Sequence, residues 1–268
     1  MEGARGTDMS GYSNVRWTVE DAIATVWLAR PPVNAVSQAM YREIRDLFAD
    51  HTQMGGNVKA IVLTGEGRHF CAGNDLDEFA SLTPENSAER MAEVRAAFFA
   101  IQDCPVPVIG AVHGAALGTG LAILASCDFV IAADDARIGT PEVSVGVMGG
   151  ARHLARLLPQ SWVRWMYLTA EPLSGTKIAS LGGAVEAVPR ETVLDRAREH
   201  ARLVSRHSAA ILKTAKRSLN TIESMDLQPG YIFEQGLTGE ISGHPDSREA
   251  VLATLEQRQP VYPSEVAR

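Results

Sequence analysis

Between Pro105 and Glu142 the chain sets out, in order, an apolar run, a glycine-rich turn and a glutamate, and together these could do chemistry. Val106 to Val112 is β-branched and apolar enough for a buried strand. Gly114, Gly118 and Gly120 follow, then an apolar helical run from Leu121 to Ala125 and a second strand-like run from Phe129 to Ala132. A strand that feeds a glycine turn at a helix start presents backbone N–H groups and the positive end of a helix dipole, which suits a developing negative charge. Glu142 lies shortly after and can carry a proton. The pattern points to an acid/base enzyme that stabilises an oxyanion.

A second segment, Phe70-Cys71-Ala72-Gly73-Asn74-Asp75, is a small-residue turn after a strand, leading into Leu76 to Phe79. Other chemistry-bearing residues read more simply. Asp128 suits a turn before the next strand. His113 suits a packed or capping role, and Cys71 has only His69 nearby to make it a thiolate. His207, Lys213, Lys216 and Arg217 form a small basic face, ordinarily a solvated helix surface and less often a phosphate contact. No metal-ligand spacing and no phosphate-loop motif occurs.

The elements that must position these residues alternate. Val15–Val19 and Ala22–Leu28 read as a hairpin across Glu20-Asp21. Ser37 is placed to cap a helix running to about Thr52, with Met40, Ile44, Leu47 and Phe48 at helical spacing. Ala60–Thr64 is a short buried strand, and Pro84–Asp103 is a helix. After Glu142 come helices over Ala151–Leu158, Ser161–Leu168 and Ser174–Leu181, then a strand over Val185–Val188. From Arg190 the pattern is helical: Glu191–Arg206, Ala209–Met225, Tyr231–Ile241 and Pro245–Gln257. Strands alternating with helices, then helices alone, favour an α/β core with a helical C-terminal region. The expected division is a flexible N-terminus over 1–14, an α/β core over 15–200 and a C-terminal helical region over 201–268.

The bulk numbers are those of an ordinary globular chain: 268 residues, 46% hydrophobic, 21% charged. A formal net charge of −7 argues against binding nucleic acid through phosphate neutralisation. Three cysteines without C-x-x-C spacing suit free thiols and a cytoplasmic setting. No signal-like apolar core opens the chain, and no stretch reaches the roughly 18 apolar residues of a membrane span.

Taken together, the motifs resemble the crotonase superfamily, the enoyl-CoA hydratase/isomerase family. The resemblance rests on Leu28-Ala29-Arg30-Pro31-Pro32-Val33-Asn34-Ala35-Val36, Ile61 to Gly65, Phe70 to Leu76, Pro105 to Asp128, and Pro141-Glu142-Val143. It is carried further by the Leu-Thr-Ala-Glu-Pro-Leu-Ser run from Leu168 and by Ser247-Arg248-Glu249-Ala250. It implies a crotonase-like spiral of ββα units, a C-terminal trimerisation region (homotrimer or dimer of trimers) and an acyl-CoA thioester substrate. Coenzyme A then enters as part of the substrate and no separate cofactor is implied.

Carried over by motif, the N–H groups of Ala72 and Thr119 form the oxyanion hole for the thioester, and losing one such donor costs about 3–4 kcal/mol of transition-state stabilisation. Gly118 belongs to the same turn. The nucleotide end would lie near Ala35 and along Ala72, Asp75 and Leu76. Thr119 stands where the family usually has glycine, and a positive φ there would strain a β-branched residue. Tyr231 or Glu234 would reach a neighbouring site in a trimer. Hydratases of this family use two carboxylates. Glu142 supplies one, but the position of the other holds Ala122, twenty residues earlier. That favours double-bond isomerisation by Glu142 alone. The alternatives are a hydratase or other CoA-ester hydrolase or lyase using another group, and a non-catalytic CoA-binding paralogue.

Overall fold

In a computed structural model of the chain, residues 11–266 are described. Most of the expected mobile N-terminus, residues 1–10, lies outside them. Of the next four, Ser13 and Asn14 donate their backbone N–H groups to Glu43.

The fold opens with a hairpin, β1 (Val15–Glu20) and β2 (Ile23–Leu28), joined by Asp21 and Ala22, both at positive φ. That backbone twist matches the twist of paired strands. The turn therefore sits one residue later than Glu20-Asp21. Helix α1 (Gln38–Ala49) comes next, capped by the Ser37 hydroxyl, with Met40, Tyr41, Ile44, Leu47 and Phe48 buried on one face. Then come β3 (Ala60–Gly65), buried at every position, the short α2 (Leu76–Ala80) and α3 (Pro84–Asp103).

From here the chain deals its strands to two sheets. β4 (Val108–Val112) is followed by β5 (Ala115–Leu117) and α4 (Thr119–Ala125). β6 (Phe129–Ala133) is followed by β7 (Arg137–Gly139) and a 3-10 turn, Glu142–Val145. Helices α5 (Ala151–Leu157) and α6 (Gln160–Thr169) precede β8 (Leu173–Ser174), α7 (Gly175–Ser180), β9 (Glu186–Val188) and α8 (Val193–Ser205). The large sheet runs β1-β2-β3-β4-β6-β9 and is parallel after the hairpin. The small one runs β5-β7-β8. Helix α8 lies across β2, β3, β4 and β6. The short strands of the small sheet carry too little local pattern to stand out in sequence, and only distant partners define them.

Four helices close the chain: α9 (Ala209–Ile222), α10 (Leu227–Ser242), α11 (Pro245–Leu255) and α12 (Pro263–Val266). Residue 200 falls inside α8, so the sheet-packed body runs to Ser205 and the helical region begins at α9. Pro229 sits in the first turn of α10, where its missing N–H costs nothing, and the helix starts four residues before Tyr231. Lys216 is buried rather than part of a basic face. Its ammonium reaches Asp128 at 2.8 Å and the carbonyl of Val106 at 3.2 Å, tying α9 to the body. Arg217 pairs with Glu240 on α10. Asp128 also accepts the Val108 N–H at 2.6 Å, so its role is to hold the turn before β6.

Candidate active site

The loop after β3 and the turn before α4 are laced into one unit. The Cys71 N–H donates to the Ala115 carbonyl and the Leu117 N–H to the Cys71 carbonyl, so the loop runs beside β5. A Cβ on Gly120 would lie 2.2 Å from the Cys71 carbonyl oxygen. No other residue fits where the start of α4 presses on that loop. Asn34, buried, spans the neighbouring turns by donating its amide to the carbonyls of Glu66 and His69.

These contacts decide which backbone donors remain. The Ala72 N–H donates to the Val33 carbonyl at 3.0 Å. Ala72 lines the cleft but its donor is taken, which corrects the assignment made by motif. In the same loop the N–H groups of Gly73 and Asn74 make no hydrogen bond among the described residues, and Asn74 sits between the Val36–Gly73 and Asp75–Val36 bonds of a short bridge. The Thr119 N–H, first in α4, also has no partner there. The strain foreseen at Thr119 is absent. The positive φ falls on Gly118 at 54°, so threonine takes an ordinary helical start. The Thr119 side chain is buried, with its hydroxyl 2.9 Å from the Tyr41 hydroxyl.

Val33, Ala35, Ala72, Asn74, Leu76 and Thr119 line a cleft of about 510 Å³, with Gly118, Asp75 and Glu142. The expected site residues are therefore gathered in one place. Leu76 is strongly exposed, and the Ala35 carbonyl accepts the Arg30 guanidinium. Ala122 is absent from the lining and buried in the core.

Glu142 opens the 3-10 turn. Its Oε1 sits 3.3 Å from where a Cβ on Gly118 would stand and 3.2 Å from the same point on Gly150. Its Oε2 is buried without a hydrogen-bond partner among the described residues. Burial raises its pKa above the ordinary carboxylate range. Such a carboxyl, set in the cleft wall, has the affinity a proton acceptor needs.

The remaining candidates separate from the site. His113 faces the Gly67 carbonyl at 3.1 Å. Cys71 is fully buried, its thiol pushed up to about 12 by desolvation, which removes it as a nucleophile. Cys104 and Cys127 are buried free thiols as well. Tyr231 is exposed on α10. Among the described residues no group of three or more His, Cys, Asp or Glu could hold a metal ion, and no helix is long and apolar enough to cross a membrane.

Sequence reasoning passed over Tyr41 and the N–H of Asn74. The signal for Tyr41 was available: a tyrosine on the buried face of a helix must find a partner for its hydroxyl.

Unengaged backbone donors and one desolvated carboxyl share this cleft, an arrangement chemically able to hold charge on an oxygen and to move a proton. Known proteins resemble this chain in both sequence and structure. A family model described as enoyl-CoA hydratase/isomerase matches residues 18–265. A methyl-dioxo-hexahydroindene-carboxyl-CoA hydrolase of Rhodococcus jostii is 35% identical over 83% of this chain and 86% of its own. A probable enoyl-CoA hydratase of Bacillus subtilis is 31% identical over 92% of this chain and 97% of its own. The crystal structure of an enoyl-CoA hydratase from Mycobacterium smegmatis superposes with a TM-score of 0.88 at 27% identity, covering 93% of this chain and 99% of that one. The chain belongs to the enoyl-CoA hydratase/isomerase family, and its fold is the crotonase-like α/β fold.

Proposed function

We propose that the protein binds an acyl-CoA thioester with its carbonyl oxygen between the N–H groups of Thr119 and Asn74, and that Glu142 is its single proton carrier. Glu142 takes a proton from C2, the C–H electron pair moves onto the thioester oxygen as an enolate, and the two N–H groups hold the charge there. Returning the proton at C4 shifts the double bond. That reaction needs no bound water and no second carboxylate, so it is the leading activity. The observation that carries this reading is the buried, partnerless Oε2 of Glu142, whose carboxyl is desolvated beside the Gly118 turn in a cleft that Ala122 does not line. The nucleotide end would pass Ala35, Asp75 and Leu76. The exposed Leu227, Tyr231 and Ile232 on α10 suit a homotrimer or dimer of trimers, and the buried free thiols suit a cytoplasmic setting.

A second reading, hydrolysis of a CoA ester, is favoured by the activity for which the Rhodococcus relative is named. There Glu142 would take a proton from water, the hydroxide would add to a ring ketone of the acyl group, and the bond from that carbon to C2 would break, leaving a carboxyl group and passing its electron pair to the thioester as an enolate that is then protonated at C2. A panel of 3-enoyl-CoA, 2-enoyl-CoA and cyclic β-oxoacyl-CoA substrates, followed by NMR, separates the readings. Conversion of 3-enoyl to 2-enoyl supports the leading one, and robust hydration of the 2-enoyl substrate without any double-bond shift overturns it. Glu142→Gln separates catalysis from mere binding, because a non-catalytic paralogue would be equally inert in both forms while CoA still bound.

A further inference from the structure

The two donors of the proposed oxyanion site belong to segments 45 residues apart, the turn at Asn74 and the start of α4 at Thr119. Each is held by its own local backbone bonds: Asn74 through the Val36 bridge, and the Gly118 turn through Gly118 donating to the Gly139 carbonyl. A third residue bonds both side chains. The Tyr41 hydroxyl lies 2.6 Å from Asn74 Oδ1 and 2.9 Å from Thr119 Oγ1. A phenol has one proton and an amide oxygen can only accept, so the tyrosine donates to Asn74 and the Thr119 hydroxyl donates to the tyrosine oxygen. The chain Thr119 → Tyr41 → Asn74 is thereby directional and fully used.

Tyr41 is well placed to be rigid. It is buried on the core face of α1, and its ring meets Phe98 of α3 edge to face at 6.0 Å. Phe98 in turn meets His153 of α5 at 5.1 Å. Burial also holds the phenol well above its ordinary value, so its proton stays in place at every working pH. The β-branched Thr119 has few rotamers, which makes its hydroxyl a stiff handle on the first residue of α4. The threonine, a departure from the glycine usual in the resembling family, thus has a physical account: it supplies the hydroxyl that Tyr41 needs.

We propose that Tyr41 is a positioning residue of the oxyanion site, a strut that sets the separation of the Asn74 and Thr119 N–H groups through their side chains. The inference rests on the reading that these two N–H groups flank the thioester carbonyl. Donors of this kind act only when held to within a fraction of an ångström, so loosening the strut weakens charge stabilisation more than binding.

The test uses the full-length protein and a chromophoric thioester, 4-(dimethylamino)cinnamoyl-CoA, whose absorption moves to longer wavelength when its carbonyl accepts strong hydrogen bonds. The wild type is expected to bind it with a red shift. Tyr41→Phe, nearly isosteric, is expected to keep the probe affinity within about threefold while losing half or more of the shift. With the substrate found active, its kcat falls about ten- to a hundredfold with KM little changed, as geometric misplacement of a catalytic group predicts. Thr119→Val loses the shift in the same way, Thr119→Ser recovers most of what the valine variant loses, and the double variant Tyr41→Phe/Thr119→Val is no worse than the worse single.

A full red shift with wild-type kcat in Tyr41→Phe overturns the strut while leaving the oxyanion reading intact. Loss of shift and affinity together with a collapsed thermal transition shows a purely structural tyrosine and overturns it too, provided Thr119→Val, which leaves the ring in place, keeps its shift. A wild type that binds the probe with no shift overturns the oxyanion reading itself, and the strut falls with it.

Discussion

Two of the three carboxylates that line one cleft, Asp75 and Glu142, are treated in opposite ways. Asp75 is fully engaged. Its Oδ1 accepts the N–H groups of Asp77 and Glu78, capping α2, and its Oδ2 takes the Arg30 guanidinium at 2.6 Å. Those partners, the Glu78 N–H first and Arg30 next, hold it below the usual carboxylate range. Glu142 has a buried oxygen with no partner, and desolvation raises its pKa. The contrast teaches how one cleft can hold a locked anion beside a carboxyl that keeps its affinity for a proton. A carboxylate satisfied by backbone donors and arginine is locked as an anion, whereas one deprived of partners retains affinity for a proton.

The largest effect should come from removing the reactive member. Glu142→Gln is expected to lower kcat/KM on the active CoA ester by about 10²- to 10⁴-fold, the usual worth of a general base. The variant should melt no lower than the wild type at neutral pH, because no stabilising partner is lost. Steady-state kinetics and a thermal melt check both halves, and a variant that is inactive because it is unfolded would break the contrast.

Next comes the wall behind Glu142. Gly118→Ala forces a side chain into φ 54°, ψ −113° and sets its Cβ 3.3 Å from Glu142 Oε1. Folding stability should fall by about 1–3 kcal/mol, read from urea titration. Activity should fall with it, since carboxylate and turn must both move.

The structural member should behave in reverse. Asp75→Asn places an amide N–H against Arg30 in place of a carboxylate oxygen. The melting midpoint should drop and KM should rise, with kcat within about threefold of wild type. A kcat loss comparable to that of Glu142→Gln would show that both carboxylates are catalytic.

The pH dependence is the finest probe. A base must be ionised to act, so kcat/KM should rise along an acid limb whose midpoint lies above the ordinary carboxylate value of 4.5, and that limb should vanish in Glu142→Gln. Stability shows the opposite sign. A carboxyl whose native pKa is raised stabilises the fold below its unfolded value, and that contribution is lost as pH rises through the native one. Glu142→Gln should therefore gain relative to wild type as pH climbs across that window.

Much of the fold was legible in the chain alone because its signals are local. The Ser37 cap and the apolar face of α1, the uniformly apolar β3 and β4, and the glycines before α4 all announce themselves in a few residues. The features that stayed hidden depend on distant partners. β5, β7 and β8 are too short to carry a period and exist because they pair across the sequence. Lys216 looked like a surface charge on a basic helix face until α9 folded its ammonium onto Asp128 and the Val106 carbonyl. The break between the helices now seen as α8 and α9 was legible, but α8 is as helical in pattern as α9 beyond it, so nothing local said that α8 alone packs on the sheet.

At the site the same division holds. Residue identity alone established that one carboxylate, Glu142, is available and that Ala122 cannot be a second, since a methyl group carries no proton in any fold. It also established that two small-residue turns were there to offer backbone donors. Which donors are free is a matter of the folded chain. Every residue but proline has an N–H, and the one on Ala72 is spent because the Val33 carbonyl happens to lie 3.0 Å away, while those of Gly73, Asn74 and Thr119 are left over. The same packing brings Tyr41 between them, from a helix whose sequence speaks only of burial.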